Sequence, residues 1–201
     1  MPEKQKQAAH LPTAHELADD LTQHRRFVVN FRSVFYGIVF FLIFAQTVAI
    51  LGLVSYELHK YGNGYANYAS MEYKHALGLL LFGSLLSLLI VLPHLWLGVG
   101  FTFICALIAA LFFATGAGVV FRTTPFRGHA CHRTPASAYP AAWQPYAGEC
   151  GRIVAIQGLA WALFATYFIL ALATFFQKFS VKSRPTPEGF YFSKPGPKKL
   201  V

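Results

Sequence analysis

The chain has 201 residues, of which 55% are hydrophobic and 12% charged, with 20 Phe and a formal net charge of +9. That balance leaves little material for a water-soluble domain, and nucleic acid is not among the expected partners. The apolar residues gather in four runs, each reaching the roughly 20 residues that cross about 30 Å of hydrocarbon as a helix, so the sequence predicts an all-α, four-helix transmembrane bundle.

Residues 1–32 form a polar tail. Glu3, Glu16, Asp19 and Asp20 argue against a cleaved signal or a transit peptide, so the first span is expected to be a permanent anchor. Thr13 and Glu16 have capping-box spacing, and Leu17, Leu21, Val28 and Phe31 follow at helical intervals beside Arg25, Arg26 and Arg32. Two readings stay open. One is an amphipathic helix on the inner leaflet, its basic residues drawn to anionic lipid by on the order of 1 kcal/mol each. The other is a helix that extends the first span.

The membrane domain covers residues 33–176. Its first span is Ser33 to Tyr56, with Gln46 near the middle. Tyr56, Tyr61, Tyr65, Tyr68 and Tyr73 then punctuate a Gly/Asn-rich loop, where an interfacial aromatic belt is expected and a partner-binding surface is the alternative. Span two is Tyr73 to Leu92 and span three Leu95 to Phe121. Only Pro93, His94 and a few neighbours separate them, which forces an antiparallel hairpin. Ala106, Ala110, Ala114 and Gly118 recur every four residues in span three, and Gly158, Ala162 and Thr166 do so in span four, Ile153 to Phe176. Such small-residue stripes let backbones approach closely, within the bundle or in a homo-oligomer. Gln46 and Gln157 are the most polar buried candidates, each expected to bond between helices.

Between spans three and four lie Cys131 and Cys150. A disulfide would close a loop of about 20 residues, worth roughly 3 kcal/mol in the chain-entropy model. His129, Cys131 and His132 offer the alternative of a metal site, but no second cluster completes a coordination sphere. Cys105 is read as a packing residue. Neither outer loop has an Asn-x-Ser/Thr sequon, so N-glycosylation is not expected.

Residues 177–201 make a basic, Pro/Gly-rich tail with an aromatic patch at Phe190, Tyr191 and Phe192. It ends Lys198-Lys199-Leu200-Val201, which looks like a dilysine signal for retrieval to the endoplasmic reticulum. Simple attraction to lipid is the other reading, so the expected membranes are endoplasmic reticulum and Golgi or the plasma membrane. Of the 17 Lys and Arg, eleven flank the spans at the two tails and six lie in the long loops, which makes the tail side cytosolic and the cysteine side oxidising.

The spans predicted in this way hold no Asp, Glu, Lys or Arg at depth, which argues against a pump or coupled transporter. His75 and His94 are 19 residues apart, about 28 Å along a helix, and cannot clamp one haem. There is no Cys-x-x-Cys pair, nucleophile–base constellation or Gly-rich phosphate loop. The expectation is a protein without enzymatic activity, cofactor or resident metal.

From Arg32 to Phe176 the arrangement resembles the MARVEL-domain family, particularly its small fungal members. The resemblance rests on four spans, the short turn between spans two and three, the cysteine pair before span four, and Glu149-Cys150-Gly151-Arg152 leading into the small-plus-aromatic run from Ala155 to Phe168. The third span lacks the acidic and tryptophan positions of many fungal members. Claudins fit less well, since their paired cysteines sit in the first outer loop, and tetraspanins need a Cys-Cys-Gly motif in a larger second loop. The resemblance implies a non-enzymatic role in membrane microdomains or vesicle traffic, with lipids and neighbouring membrane proteins or copies of itself as partners. The alternative is an accessory subunit of a larger membrane enzyme or transport complex.

Overall fold

A computed structural model describes residues 26–27, 31–131, 133–179 and 192–193. Four long helices dominate it: α1 Phe31–Tyr61, α2 Met71–Val91, α3 Val99–Thr123 and α4 Cys150–Phe179. Each is long and apolar enough to cross a membrane. Around the bundle α1 packs on α2, α2 on α3, α3 on α4 and α4 back on α1, with the α3–α4 interface the most extensive.

Local chemistry sets the ends. Gly62 stops α1 by taking a positive φ of 66°, open to glycine at no steric cost, while its N–H donates to Leu58 O at 2.9 Å. Ser70 caps α2 by accepting from the Tyr73 N–H at 3.1 Å. Pro93 cannot continue α2, and the chain turns through it, with the Trp96 N–H donating to Pro93 O at 2.9 Å, until Gly98 opens α3. Span three therefore starts as a helix at Val99 rather than Leu95. Span one continues past Tyr56 to Tyr61, and its 31 residues make it about 46 Å long, more than the hydrocarbon is thick.

The inward faces follow alternating steps of three and four. On α1 they are Ile43, Thr47, Ile50, Val54 and Glu57; on α4, Ile153, Ile156, Ala160, Leu163, Tyr167, Leu170 and Thr174, all buried. This is the pattern of helices that cross at a shallow angle and interlock side chains. It also explains where the small-residue stripes go. A step of four turns the helix face by about 40°, so a stripe at constant spacing winds off the interface. Ala106 and Ala110 are buried, Ala114 and Gly118 only half-buried. Ala162 is half-buried and Gly158 exposed, with nothing within 4 Å of an added Cβ. The close approach is made by Gly116 instead, where a Cβ would meet Leu80 Cδ2 at 2.5 Å.

Polar groups in the mid-bundle satisfy one another. Thr47 Oγ1 and Ser87 Oγ are 2.8 Å apart, and Ser87 Oγ is 2.5 Å from the Tyr167 hydroxyl, which links α1, α2 and α4. Thr166 Oγ1 donates to Ala162 O at 2.8 Å and also lies 3.3 Å from Gln46 Oε1, between α4 and α1. Gln157 is half-buried and has no hydrogen bond to another helix among the described residues.

At the tail end, β1 Arg26–Phe27 pairs antiparallel with β2 Phe192–Ser193, so the two tails meet through a two-residue ladder. Arg26 is thus in a strand, not in the helix expected there. Arg25, Lys198 and Lys199 lie outside the described residues, as do the Arg26 and Arg32 side chains.

Candidate functional site: the capped end of the bundle

The end opposite the tails is closed by both long loops. A 3-10 helix, Ala141–Glu149, leads directly into α4 and turns Trp143 and Tyr146 toward the bundle. Their buried rings continue the inward spacing of α4 backwards, since Trp143, Tyr146, Cys150 and Ile153 again step by three and four. Tyr73, fully buried at the start of α2, meets Trp143 edge-on at 5.3 Å between centroids and Tyr146 at 6.3 Å. Phe126 packs against Trp143 at 5.6 Å and Tyr139 at 4.9 Å, and Tyr61 lies 4.5 Å from Tyr146. Each such pair contributes about 0.5–1.5 kcal/mol beyond burial alone.

Hydrogen bonds join the loops. Tyr146 OH donates to Asn67 O at 2.5 Å, Asn67 Nδ2 to Tyr61 O at 2.8 Å, and Tyr68 OH to Gly62 O at 2.9 Å. The tyrosines read as an interfacial belt therefore divide: Tyr56 and Tyr65 are exposed, while Tyr68 and Tyr73 are cap interior. Burial, and then the nearby Glu57 carboxylate, raise the Tyr68 phenol above its ordinary range.

A four-residue ionic chain runs through the cap. Glu57 is fully buried on α1, and its Oε1 lies 3.3 Å from Arg152 Nη1. Arg152 Nη1 also donates to Glu149 Oε2, and Lys60 donates to Glu149 Oε1. The Arg152 guanidinium sits 4.0 Å from the centroid of Tyr56, so its flat face is covered while its edge serves two carboxylates. Glu57 Oε2 and the hydroxyls of Tyr73 and Tyr139 have no hydrogen-bond partner among the described residues. Arg127 adds a clasp, donating to Thr124 O at 3.0 Å and Phe126 O at 2.7 Å where α3 ends.

Cys131 and Cys150 lie at disulfide distance, with S–S 2.04 Å and Cα–Cα 5.4 Å. The pair ties the start of α4 to the loop leaving α3, beside Glu149 and Arg152. His129 is exposed, His132 lies outside the described residues, and no group of three metal-donor side chains comes together among the described residues. His75 and His94 stand at opposite ends of α2: His75 is edge-on to Tyr65 at 6.3 Å, and His94 stacks on Phe40 at 4.3 Å. Cys105 is half-buried and unbonded in α3.

Sequence reasoning misses Glu57, because the span it predicts ends at Tyr56, one residue before it. The signal was present: Glu57 follows Ile43, Ile50 and Val54 on one face. Chemically the cap contains charges that neutralise one another and rings that fill the space between them, an arrangement that fixes loops against helices. No protein-family model matches the chain, and neither a curated protein nor a solved structure does so.

Proposed function

We propose that the chain is a non-enzymatic integral membrane protein that organises membrane microdomains or takes part in vesicle traffic through lipid and helix–helix contacts, as its MARVEL-like arrangement implies. The observation that carries this reading is the contrast between inside and outside. The inside is filled by interlocked side chains whose mid-bundle hydroxyls bond to one another. The outside presents large apolar groups from every helix, among them Phe41, Phe44, Leu85, Leu89, Phe101, Leu111, Phe168 and Phe176. Binding capacity is directed outward, toward lipid tails and neighbouring spans.

In this reading both tails face the cytosol, supported by the eleven Lys and Arg that they carry against six in the long loops. The cap then lies in an oxidising space that favours the Cys131–Cys150 pair. Arg25, Arg26 and Arg32 contact anionic lipid.

The deciding experiment is the native mass of the protein extracted in a mild detergent, with every co-purifying species identified. Self-copies with lipid support the organising role. A stoichiometric complex with larger proteins would make the chain an accessory subunit instead.

A further inference from the structure

The first turns of α2 and the last turn of α3 run side by side at the capped end. Between them opens a groove of about 430 Å³, lined by Glu72, His75, Leu79, Val119, Arg122 and Thr123. The volume is in the range of small-molecule sites, roughly 300–1,000 Å³. Its polarity is graded along the helices. Glu72, His75 and Arg122 are exposed at the mouth. Leu79 lies about 10 Å further along α2 than Glu72, and Val119 one turn below Arg122, both half-buried, so the depth is apolar. A bilayer imposes the same gradient on a phospholipid, with its charged head at the interface and its chains in the hydrocarbon.

Among the described residues, the two charges at the mouth, Glu72 and Arg122, are not engaged. Lys60 and Arg152 at this end are engaged by carboxylates, and Arg127 by backbone carbonyls. Glu72 and Arg122 make no ion pair or side-chain hydrogen bond among the described residues. An acid in the first turn of α2 and a base in the last turn of α3 each suit the helix dipole, which accounts for their positions along the helices. The dipole does not account for their sharing one groove with an apolar floor.

We propose that this groove binds a phospholipid with a primary-amine headgroup, of the phosphatidylethanolamine class, its phosphate held by Arg122 and His75 and its ammonium by Glu72. Charge complementarity selects this occupant. An anionic headgroup would face Glu72 without compensation. A choline headgroup carries no N–H to donate to the carboxylate, and a sterol would leave both charges unused. The acyl chains run past Leu79 and Val119 onto the outer surface of the bundle. The proposal deepens the organising role by naming a lipid class, and it rests on that reading only in taking the bundle to lie in a bilayer.

The test uses the full chain, stripped of loosely held lipid in detergent and offered phosphatidylethanolamine, phosphatidylcholine and phosphatidylglycerol of identical acyl chains, with bound lipid counted by native mass spectrometry. The wild type is expected to retain phosphatidylethanolamine about tenfold over the other two, the equivalent of one charge-assisted hydrogen bond. Arg122→Gln should weaken retention of all three lipids, since each carries the phosphate, and Arg122→Lys should largely keep it, while Glu72→Gln should bind phosphatidylethanolamine and phosphatidylcholine alike. Both side chains are exposed, so these replacements leave the packed interior intact. Equal retention of all three lipids by the wild type, undiminished retention in Arg122→Gln, or an unchanged preference in Glu72→Gln overturns the site. The same spectra report the oligomeric mass. A wild type that self-associates but shows no lipid preference overturns this site alone. A fixed larger partner overturns the wider reading, and the variants still decide the groove.

Discussion

Arg152 reaches from the first turn of α4 to within 3.3 Å of the Glu57 carboxylate, which α1 buries completely. A carboxylate withdrawn from water needs this partner, and the guanidinium meets Glu149 with the same nitrogen. The pair therefore fixes how α4 enters the bundle relative to α1. Arg152→Met is expected to destabilise the protein by about 2 kcal/mol, below the 3–5 typical of breaking a fully buried pair because Arg152 is partly exposed. Adding Glu57→Gln should restore part of that loss, since the orphaned charge is gone. Thermal unfolding of both single variants and the double variant in detergent reads the coupling. Strictly additive losses would mean that the two residues do not act as a pair.

The cysteine pair acts on the same joint. Cys131 and Cys150 are 19 residues apart in sequence, and in the chain-entropy model a crosslink across so short a loop stabilises by roughly 3 kcal/mol. Cys150→Ser is expected to lower the unfolding temperature by a margin that reductant also produces in the wild type and no longer produces in the variant. Without prior reduction, neither cysteine of the wild type should react with a membrane-impermeant maleimide. Ready labelling of the untreated protein would sink the idea.

Much of this architecture could be read from sequence because hydrocarbon demands long apolar runs, and four such runs have one simple arrangement. The inward face was harder to read. All-round hydrophobicity hides which side of a lipid-bathed helix faces its neighbours, and small residues every four positions look like a packing edge although a step of four winds away from it. Gly116 carries the close contact while Gly118 stands off it. The cap was least legible, since its parts come from distant stretches. Tyr73 meets Trp143 and Tyr146 only after α2 and the loop before α4 are side by side, and no local pattern announces it.

Tyr68 gives the cap a pH response. Its hydroxyl donates to Gly62 O, and burial raises its ionisation above that of the unfolded chain. A folded-state value above the unfolded one means stability fully present below the unfolded value, about 10, and lost as pH rises through the folded value. Wild-type stability should therefore fall as pH climbs above about 10 more steeply than that of Tyr68→Phe. At neutral pH the variant should lose about 1 kcal/mol for its missing hydrogen bond. Stability measured against alkaline pH decides the matter, and identical profiles for the two proteins would exclude Tyr68 as a contributor.

The approach of α2 to α3 can be tested at a single methyl group. A Cβ at Gly116 would stand 2.5 Å from Leu80 Cδ2 and 2.8 Å from its Cγ, closer than carbon atoms pack, whereas a Cβ at Gly118 meets nothing within 4 Å. Leu80 is itself fully buried, so it has little room to withdraw. Gly116→Ala is then expected to cost about 1–3 kcal/mol through overpacking, despite the higher helix propensity of alanine. Gly118→Ala gains the propensity without a clash and should be neutral or stabilising by up to about 1 kcal/mol. Shortening the opposing side chain distinguishes a clash from any other effect. In a Leu80→Ala background the Gly116→Ala penalty should disappear, because the methyl group then enters the space that the leucine left. Unfolding in detergent of the four proteins in this cycle measures the coupling, and a Gly116→Ala penalty that persists against Ala at position 80 would place the strain elsewhere in the hairpin.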